Sequence, residues 1–361
     1  MPVAHVYAEA RRQALRALLA HADLSALLVT KRVNVRYLTG FSGSYGALLL
    51  LHDRTLFFTD RRYEQQAAAE VPGTELVMAP GDQVGAVASV LRAAGDGLGF
   101  EPAGLSWDDG QRLRITVPGS AVVPAPPLVE ELREVKDEGE VAAMREAARL
   151  GCEALDELLG DLRPGVTERE VAVALELAMR RLGGDGLAFD TIVAFGEQAA
   201  EPHHHPGDRP LARGDLVKLD FGARVDGYCS DMTRTVVFGR ASQRQREVYE
   251  LVRLAQAAGL ACLRAGVPAG EVDRACRETI AEAGLGDAFA HPTGHGVGLE
   301  IHEAPRLRPG VGEPIASGMA VTVEPGVYLP GFGGVRIEDL VVARPDGHDL
   351  LTTAPKELLE L

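Results

Sequence analysis

In the first third of the chain, hydrophobic residues form short continuous runs separated by polar and turn-forming residues. Short apolar runs are typical of buried β-strands, whereas apolar residues spaced three and four apart are typical of amphipathic helices. The runs predict strands at 24–30, 45–51, 54–59 and 98–100. The helical spacing predicts helices around 15–22, over 61–71 and over 84–94. Strands and helices in alternation predict a small α/β layer structure.

A change in composition divides the chain. The segment PAPPLVEELREVKDEGE (124–140) is rich first in proline and then in charged residues, as linkers between domains often are. We therefore expect a first domain over 1–130 and a second over 131–361. Apolar residues at helical spacing between Val141 and Leu159 predict that a long amphipathic helix opens the second domain.

The second part of the chain contains an internal repeat. Two pairs of segments are similar, LRPGVTEREV (162–171) with LRAGVPAGEV (263–272), and GDLVKLD (214–220) with GMAVTVE (318–324). Each strand of the second pair leads to another, acidic strand, at 230–238 and at 335–343. A duplicated helix–helix–strand–strand unit predicts two β-pairs in one sheet, facing each other across a pseudo-twofold axis.

Four acidic residues lie in these repeated strands among apolar neighbours. Asp220 and Glu324 occupy the same point of the two repeat units, and Asp231 and Glu338 lie in the second strand of each. If the duplicated β-pairs pack together, the four carboxylates converge. Burying several negative charges together is costly unless cations balance them. A pair of divalent ions is the simple solution, and such a pair can form a hydrolytic centre.

Histidines are concentrated in the same region, since six of the ten lie between positions 203 and 302. One histidine with four carboxylates suits Mn²⁺, Co²⁺ or Zn²⁺ better than an ion that prefers thiolates. Loop histidines are usually solvated, and we expect this of the adjacent His204 and His205. Cys229 lies beside Asp231 in a predicted exposed turn, where we expect no role.

Composition and charge exclude some classes of partner. The 361 residues carry 37 Lys and Arg against 52 Asp and Glu, a net charge of −15. This excess argues against a nucleic-acid backbone or an anionic membrane as the main partner. No apolar run reaches the roughly 18–20 residues of a membrane-spanning helix, and the acidic, amphipathic first residues do not resemble a signal peptide. Four cysteines without a CxxC pair predict a reducing cytoplasm.

Several motifs resemble those of the pita-bread metallopeptidases, namely LDFGARVDGYCSDMTRT, HPTGHGVGLEIHE, TVEPGVY and GGVRIEDLVV. This family includes methionine aminopeptidase, aminopeptidase P, prolidase and creatinase. NVRYLTGFSGSYG and TDRRYEQQA resemble the amino-terminal domain of the last three, and LREVKDEGEVAAMREA resembles the joint that follows it. The resemblance covers nearly the whole chain. It implies a creatinase-like α/β domain followed by a pita-bread domain with a pseudo-twofold internal repeat.

The resemblance also implies a metal site for two divalent ions. Asp231 and Glu338 would bridge the ions. Asp220 would complete one site, and His295 with Glu324 would complete the other. A hydroxide bridging the metals would attack the scissile carbonyl, with Glu324 as the proton shuttle. Mn²⁺ is the expected ion, and Co²⁺ or Zn²⁺ are the alternatives.

Four further residues take roles from the same resemblance. His203, in AEPHHHP, would contact the substrate or the tetrahedral intermediate. His302, in GLEIHE, would donate a hydrogen bond to the carbonyl oxygen. His291 would line the substrate pocket, and Arg336 would orient an acidic metal ligand.

Within the family, the motifs imply an Xaa-Pro peptidase. Methionine aminopeptidase lacks a domain like residues 1–130, and creatinase-type relatives lack part of the metal set. The expected substrate is a peptide with proline in second position, and the expected protein is a cytoplasmic homodimer. Two subclasses remain open, because aminopeptidase P accepts longer peptides and prolidase binds the carboxylate of a dipeptide. The alternative is a catalytically inactive protein of this fold that binds peptides or a partner.

Overall fold

The computed structural model describes residues 3–91, 97–117 and 122–361. The chain forms two compact units, Met1–Arg133 and Glu134–Leu361. Among the helices of the described ranges, none combines the length and hydrophobicity that crossing a membrane requires.

The first unit is an α/β structure, as predicted. Its described helices are α1 (Val3–His21), α2 (Arg32–Thr39), α3 (Glu64–Glu70), α4 (Gln83–Leu91), α5 (Trp107–Thr116) and α6 (Leu128–Glu134). Its described strands are β1 (Ala26–Val29), β2 (Ala47–Leu51), β3 (Thr55–Thr59), β4 (Glu75–Met78), β5 (Leu98–Phe100) and β6 (Val122–Pro124). They form one mixed sheet in the order β4-β3-β2-β1-β5-β6.

Burial explains which of these strands the sequence predicts. Every residue of β1, β2 and β3 is buried, so both faces of these strands are apolar. The edge strand β4 is mostly exposed, and its short apolar run LVM (76–78) was not predicted as a strand. The predicted helix over 84–94 corresponds to α4, and its residues 92–94 lie outside the described residues.

The second unit opens with the predicted long helix. Its helices are α7 (Glu138–Asp161), α8 (Glu168–Arg181), α9 (Gln243–Cys262) and α10 (Ala269–Glu282). The pairs α7–α8 and α9–α10 correspond to the two repeat units. Helices α7, α8 and α9 begin with a capping box, in which the N-cap side chain and the third helical residue each bond the other's backbone N–H.

The strands of the second unit form several antiparallel sheets. They are β7 (Gly186–Leu187), β8 (Ile192–Phe195), β9 (Leu216–Phe221), β10 (Ala223–Val225), β11 (Tyr228–Cys229), β12 (Met232–Val237), β13 (Gly294–Gly296), β14 (Glu303–Leu307), β15 (Ala320–Val323), β16 (Gly326–Leu329), β17 (Gly333–Arg336), β18 (Asp339–Arg344) and β19 (Gly347–Leu350). Their orders are β11-β10-β7, β12-β9-β8, β14-β13-β15-β18-β19 and β16-β17.

The two repeated β-pairs belong to different sheets, which differs from the single sheet that the repeat predicts. The pair β9–β12 lies in one sheet and the pair β15–β18 in another. They meet where the Glu338 backbone N–H donates to the Thr233 carbonyl at 3.1 Å. Residues 337–338 connect the end of β17 to the start of β18. They belong to neither strand, so the β-ladder is not continuous between the two sheets.

Candidate active site

The predicted metal ligands come from strands of the second unit. Asp220 lies in β9, Asp231 immediately before β12, and His295 at the centre of β13. Glu324 follows β15, and Glu338 precedes β18. The structure brings all five side chains to the wall of one cavity.

Distances within this cluster are short enough for shared ligation. Nε2 of His295 lies 3.5 Å from Oδ2 of Asp231 and 3.5 Å from Oε1 of Glu324. Ligand atoms of Asp231, His295 and Glu338 all lie within 4.8 Å of one another. Nδ1 of His295 lies 3.0 Å from the Gly296 carbonyl and donates its proton there. The lone pair of Nε2 is therefore directed to the carboxylates.

Burial dominates the electrostatics of the cluster. It raises the pKa values of Asp231 and Glu338 well above their ordinary range, and repulsion between the neighbouring carboxylates adds to this. Burial also raises the pKa of Glu324 to about 8. It lowers the pKa of His295 to about 3, so the imidazole is neutral, which is the form that binds metal.

The donor set fits divalent cations. Oδ1 of Asp220 is buried and has no hydrogen-bond partner among the residues that the structure describes, while Oδ2 contacts Nη2 of Arg336. Buried polar atoms are almost always paired, so a free carboxylate oxygen beside other acids matches a cation ligand. Several carboxylates with one imidazole are donors that Mn²⁺, Co²⁺ and Zn²⁺ accept.

Arg336 is buried and holds two of the acids in place. Its Nη2 contacts Asp220, and its Nε donates to Oγ1 of Thr233 at 2.9 Å. The Thr233 hydroxyl in turn donates to Oε2 of Glu338 at 2.7 Å. Thr233 was not predicted from the sequence, although it lies only two residues after Asp231 in the SDMTRT motif.

The cavity has a volume of about 490 Å³ and mixes polar and apolar walls. His203 and His302 are exposed to it, and Phe189, Ile192 and Ile301 supply apolar surface. The rings of His302 and His295 pack edge to face with centroids 4.3 Å apart. Burial, with Arg306 nearby, lowers the pKa of His302, so its neutral ring retains one N–H donor.

His291 also lines the cavity, and it binds a residue that the sequence analysis missed. Its Nδ1 lies 2.8 Å from the Pro292 carbonyl and its Nε2 lies 2.8 Å from the Tyr328 hydroxyl. Burial lowers the pKa of His291 to about 3, so Nε2 accepts from Tyr328. The hydroxyl of Tyr328 also accepts from Nη1 of Arg336 at 2.9 Å. Tyr328 lies four residues after Glu324, within TVEPGVY.

Two expectations about individual residues are wrong, and Arg306, like Thr233 and Tyr328, was not predicted. His204 is buried at 7% exposure instead of solvated. Cys229 lies in β11 at 3% exposure, because its backbone N–H bonds the Gly298 carbonyl and a neighbouring segment covers the turn. Arg306 is exposed in the cavity and forms no salt bridge within the described ranges.

The family follows from comparison with known proteins. Residues 142–345 match metallopeptidase family M24, and residues 11–135 match the creatinase/prolidase N-terminal domain. The chain belongs to metallopeptidase family M24. This metallopeptidase is therefore an enzyme, and the predicted family and fold class are confirmed.

Several relatives of this M24 metallopeptidase match over almost their full lengths. The structure of an Xaa-Pro dipeptidase from Bacillus anthracis superposes with a TM-score of 0.95 at 39% identity, covering 98% of this chain and 100% of that chain. An X-Pro aminopeptidase from Thermotoga maritima MSB8 superposes at 0.90 with 35% identity, covering 94% and 98%. The Xaa-Pro dipeptidase of Pyrococcus furiosus is 35% identical over 93% of this chain and 96% of its own.

Proposed function

We propose that this metallopeptidase is a dimetal hydrolase that removes the amino-terminal residue from peptides with proline in second position. The observation that carries the proposal is the buried cluster of Asp231, His295 and Glu338, joined in one cavity by Asp220 and Glu324. Relatives named Xaa-Pro dipeptidase or X-Pro aminopeptidase support it. A catalytically inactive peptide-binding protein would have no need of this costly cluster.

Two divalent cations would be held by the five residues of the cluster. Asp231 and Glu338 would bridge them, Asp220 would complete one site, and His295 with Glu324 the other. The expected ion is Mn²⁺, with Co²⁺ or Zn²⁺ as alternatives. Cations there would supply Lewis acidity and a nucleophile at neutral pH.

The chain's own residues would bind and orient the substrate. A ring N–H of neutral His302 would donate to the scissile carbonyl oxygen, and His203 would contact the substrate or the tetrahedral intermediate. Glu324 would carry a proton on a carboxylate oxygen towards the leaving nitrogen. His291 would line the pocket, and Arg336 would keep Asp220 in place.

Proline in second position suits such a site. The peptide bond before proline is a tertiary amide without an N–H, so enzymes that require that donor cannot use it. Cleavage at the cluster would require only a polarised carbonyl and a slot for the proline ring. The negative charge of the cluster would attract a free amino terminus. Phe189, Ile192 and Ile301 provide apolar surface for the ring.

Arg306 favours a dipeptide as the substrate. Its guanidinium is exposed in the cavity and forms no salt bridge within the described part of the chain. A carboxylate directly after proline would give it a charged partner. We therefore propose the Xaa-Pro dipeptidase subclass ahead of aminopeptidase P.

The remaining expectations are also proposals. We propose an amino-terminal domain over 1–130 and a catalytic domain over 131–361. We further propose that the enzyme is a cytoplasmic homodimer that binds neither nucleic acid nor membranes, in keeping with its net charge of −15.

The test is kcat/KM with Mn²⁺ for matched Xaa-Pro, Xaa-Ala and N-acetyl-Xaa-Pro peptides. Replacing proline by alanine removes two ring carbons at roughly 0.8 kcal/mol each, which predicts about 15-fold lower kcat/KM. The fixed φ of proline should increase this ratio. Acetylation should abolish cleavage. Equal rates on proline and alanine peptides would move the enzyme to a general aminopeptidase, and no turnover of any peptide would favour the inactive alternative.

A further inference from the structure

The position of His203 depends on the backbone that carries it. Its side chain is exposed to the cavity and forms no hydrogen bond within the described ranges. No hydrogen bond from a described residue therefore fixes the orientation of the ring. Whatever fixes residues 202 and 204 determines where the imidazole lies relative to the metal ligands.

The residue before His203 is held by two buried basic side chains. The Pro202 carbonyl accepts from Nη1 of Arg336 at 3.2 Å and from Nζ of Lys218 at 3.4 Å. The same ammonium also bonds the carbonyls of Ala199 and Glu201. This side of the loop is therefore fixed to β9 and β17.

The residue after His203 is held by two carboxylates. Nδ1 of His204 lies 2.7 Å from Oε2 of Glu201, and Nε2 lies 2.9 Å from Oε2 of Glu168. Ionised carboxylates only accept hydrogen bonds, so both ring nitrogens donate. An imidazolium satisfies both contacts of the buried ring at once.

Glu168 connects this imidazolium to the rest of the fold. It is fully buried as the first residue of α8. Its Oε1 accepts from the Phe195 N–H at 2.8 Å, and its Oε2 also accepts from the Gly207 N–H at 3.0 Å. One carboxylate thus joins α8, the end of β8 and both ends of the His203 loop. Loss of the charge on His204 would leave a buried carboxylate without its counter-ion.

We propose that His204 is a positioning residue, an imidazolium between Glu168 and Glu201 that fixes the backbone of His203 and releases it on deprotonation. The inference rests on the proposed peptidase function, because that function gives His203 its task. It adds a residue that the sequence analysis expected to be solvated.

The direction of the pH effect follows from the contacts. Burial lowers the pKa of His204, but the hydrogen bonds and charges of Glu201 and Glu168 outweigh it and raise the pKa above 6.5. The basic groups close to those carboxylates are Lys218 and Arg209. Lys218 lies beside Glu201, and burial lowers its pKa to about 7. Arg209 lies beside Glu168 and is paired with Asp215. The pairing of His204 with Glu168 and Glu201 is therefore complete below the ordinary histidine pKa of 6.5. It is lost as pH rises through the folded-state pKa.

The charge on His204 can be measured without any activity. Full-length enzyme labelled at histidine ¹³Cε1 and loaded with Zn²⁺, which is diamagnetic, is titrated by NMR. The His204 signal is the one missing in His204→Gln. We expect the His204 signal to titrate above pH 6.5 in the wild type and at a lower pH in Glu201→Gln. The Glu201 side chain is 65% exposed, so this replacement should leave the fold intact. A wild-type His204 signal that titrates at or below pH 6.5 overturns the inference.

A double-mutant cycle tests whether His204 acts through His203. His204→Gln should lower kcat on an Xaa-Pro dipeptide about 10- to 100-fold with a smaller change in KM, because the reacting geometry is displaced. In the His203→Gln background it should cause no further loss. His205→Gln is the matched control, because it makes the same change at the next histidine, which is exposed. The decrease of its kcat at alkaline pH should occur at the same pH as in the wild type. An equal loss in both backgrounds overturns the inference in favour of general destabilisation.

The outcomes separate this inference from the proposed function. A wild-type enzyme that cleaves Xaa-Pro peptides while His204 is neutral, or uncoupled from His203, contradicts only the inference. A metal-loaded wild type that cleaves no Xaa-Pro peptide overturns the proposed function and, with it, the task assigned to His204.

Discussion

Arg306 is the residue that best separates the two candidate substrate lengths. Arg306→Met removes the charge and keeps much of the side-chain volume. A lost charged hydrogen bond costs about 1.5–3 kcal/mol, so KM for an Xaa-Pro dipeptide should rise roughly 10- to 150-fold. The corresponding Xaa-Pro amide, which has no carboxylate, should be affected little. Steady-state kinetics on the two substrates measures this difference.

Arg308→Met is the control, because Arg308 is also exposed but does not line the cavity. It should leave both substrates unchanged. If Arg306→Met lowered turnover of the dipeptide and the amide equally, Arg306 would not be binding the carboxylate, and the longer-substrate subclass would be favoured.

His302 should affect the rate without holding metal. Its exposed ring packs on His295 and retains one N–H donor. Removing a donor to a developing oxyanion typically costs 10²–10³ in turnover, roughly. His302→Ala should therefore keep its metal content, by elemental analysis, and lose kcat by about that factor. His295→Ala should lose metal as well as activity. Metal loss in His302→Ala would mean that the ligand shell is assigned wrongly.

The candidate site could be predicted from sequence where its residues lie in recognisable motifs. Asp220 lies in β9, Asp231 and Glu338 lie immediately before β12 and β18, and the structure places all three in one cavity. His204 could not be interpreted this way, because its partner Glu168 is 36 residues away on another element. Pairings of that kind depend on how helices and loops pack, which spacing along the chain does not encode.

The backbone of β13, and not only its ligand His295, contributes to the proposed metal site. His295 lies between Gly294 and Gly296. A Cβ at residue 294 would come within 2.0 Å of the Thr322 carbonyl oxygen, and one at residue 296 within 2.0 Å of the Ala304 carbonyl oxygen. The two glycines therefore let neighbouring backbone approach β13 closely on both sides of the ligand.

Gly296→Ala should accordingly disturb the strand and its ligand together. Forcing a methyl group against backbone costs about 1–3 kcal/mol, which should lower Tm and weaken metal binding. Gly160→Ala is the matched control, because a Cβ there meets nothing within 4 Å at the exposed end of α7. It should stabilise the protein by up to about 1 kcal/mol. Thermal unfolding and metal titration measure both effects, and equal behaviour of the two variants would contradict the close-approach argument.

At the element scale, strands that are buried on both faces could be predicted from the sequence. The boundaries between sheets could not. The wholly buried β2 and β3 were predicted from their apolar runs, whereas β4, an exposed edge strand whose apolar run LVM is short, was not. The internal repeat predicted paired strands but not the break at 337–338, where the chain passes from one sheet to another. That break is set by backbone hydrogen bonds, which any residue type can form.

Over the whole molecule, the net charge of −15 and the carboxylate cluster oppose folding unless cations balance them. Burial raises the pKa values of Asp231 and Glu338 in the absence of metal, a sign that their charged forms are poorly stabilised by protein groups alone. Cations that bind only the folded chain shift the folding equilibrium by mass action. Metal content and stability of the second unit should therefore change together.

Adding Mn²⁺ to metal-free enzyme should raise Tm, and the rise should require Asp231. At a free concentration 100 times the Kd, binding contributes about 2.7 kcal/mol, or roughly 5–10 °C for a unit of this size. Asp231→Asn removes a charge shared by both ions and should lose at least one ion, nearly all activity and most of the Tm rise, with its fold kept by circular dichroism. Asp226→Asn is the matched control, because it makes the same change in the same hairpin outside the cavity, and asparagine tolerates its φ of 49°. It should bind metal and gain stability as the wild type does. A full Tm rise with full activity in Asp231→Asn would contradict the dimetal site.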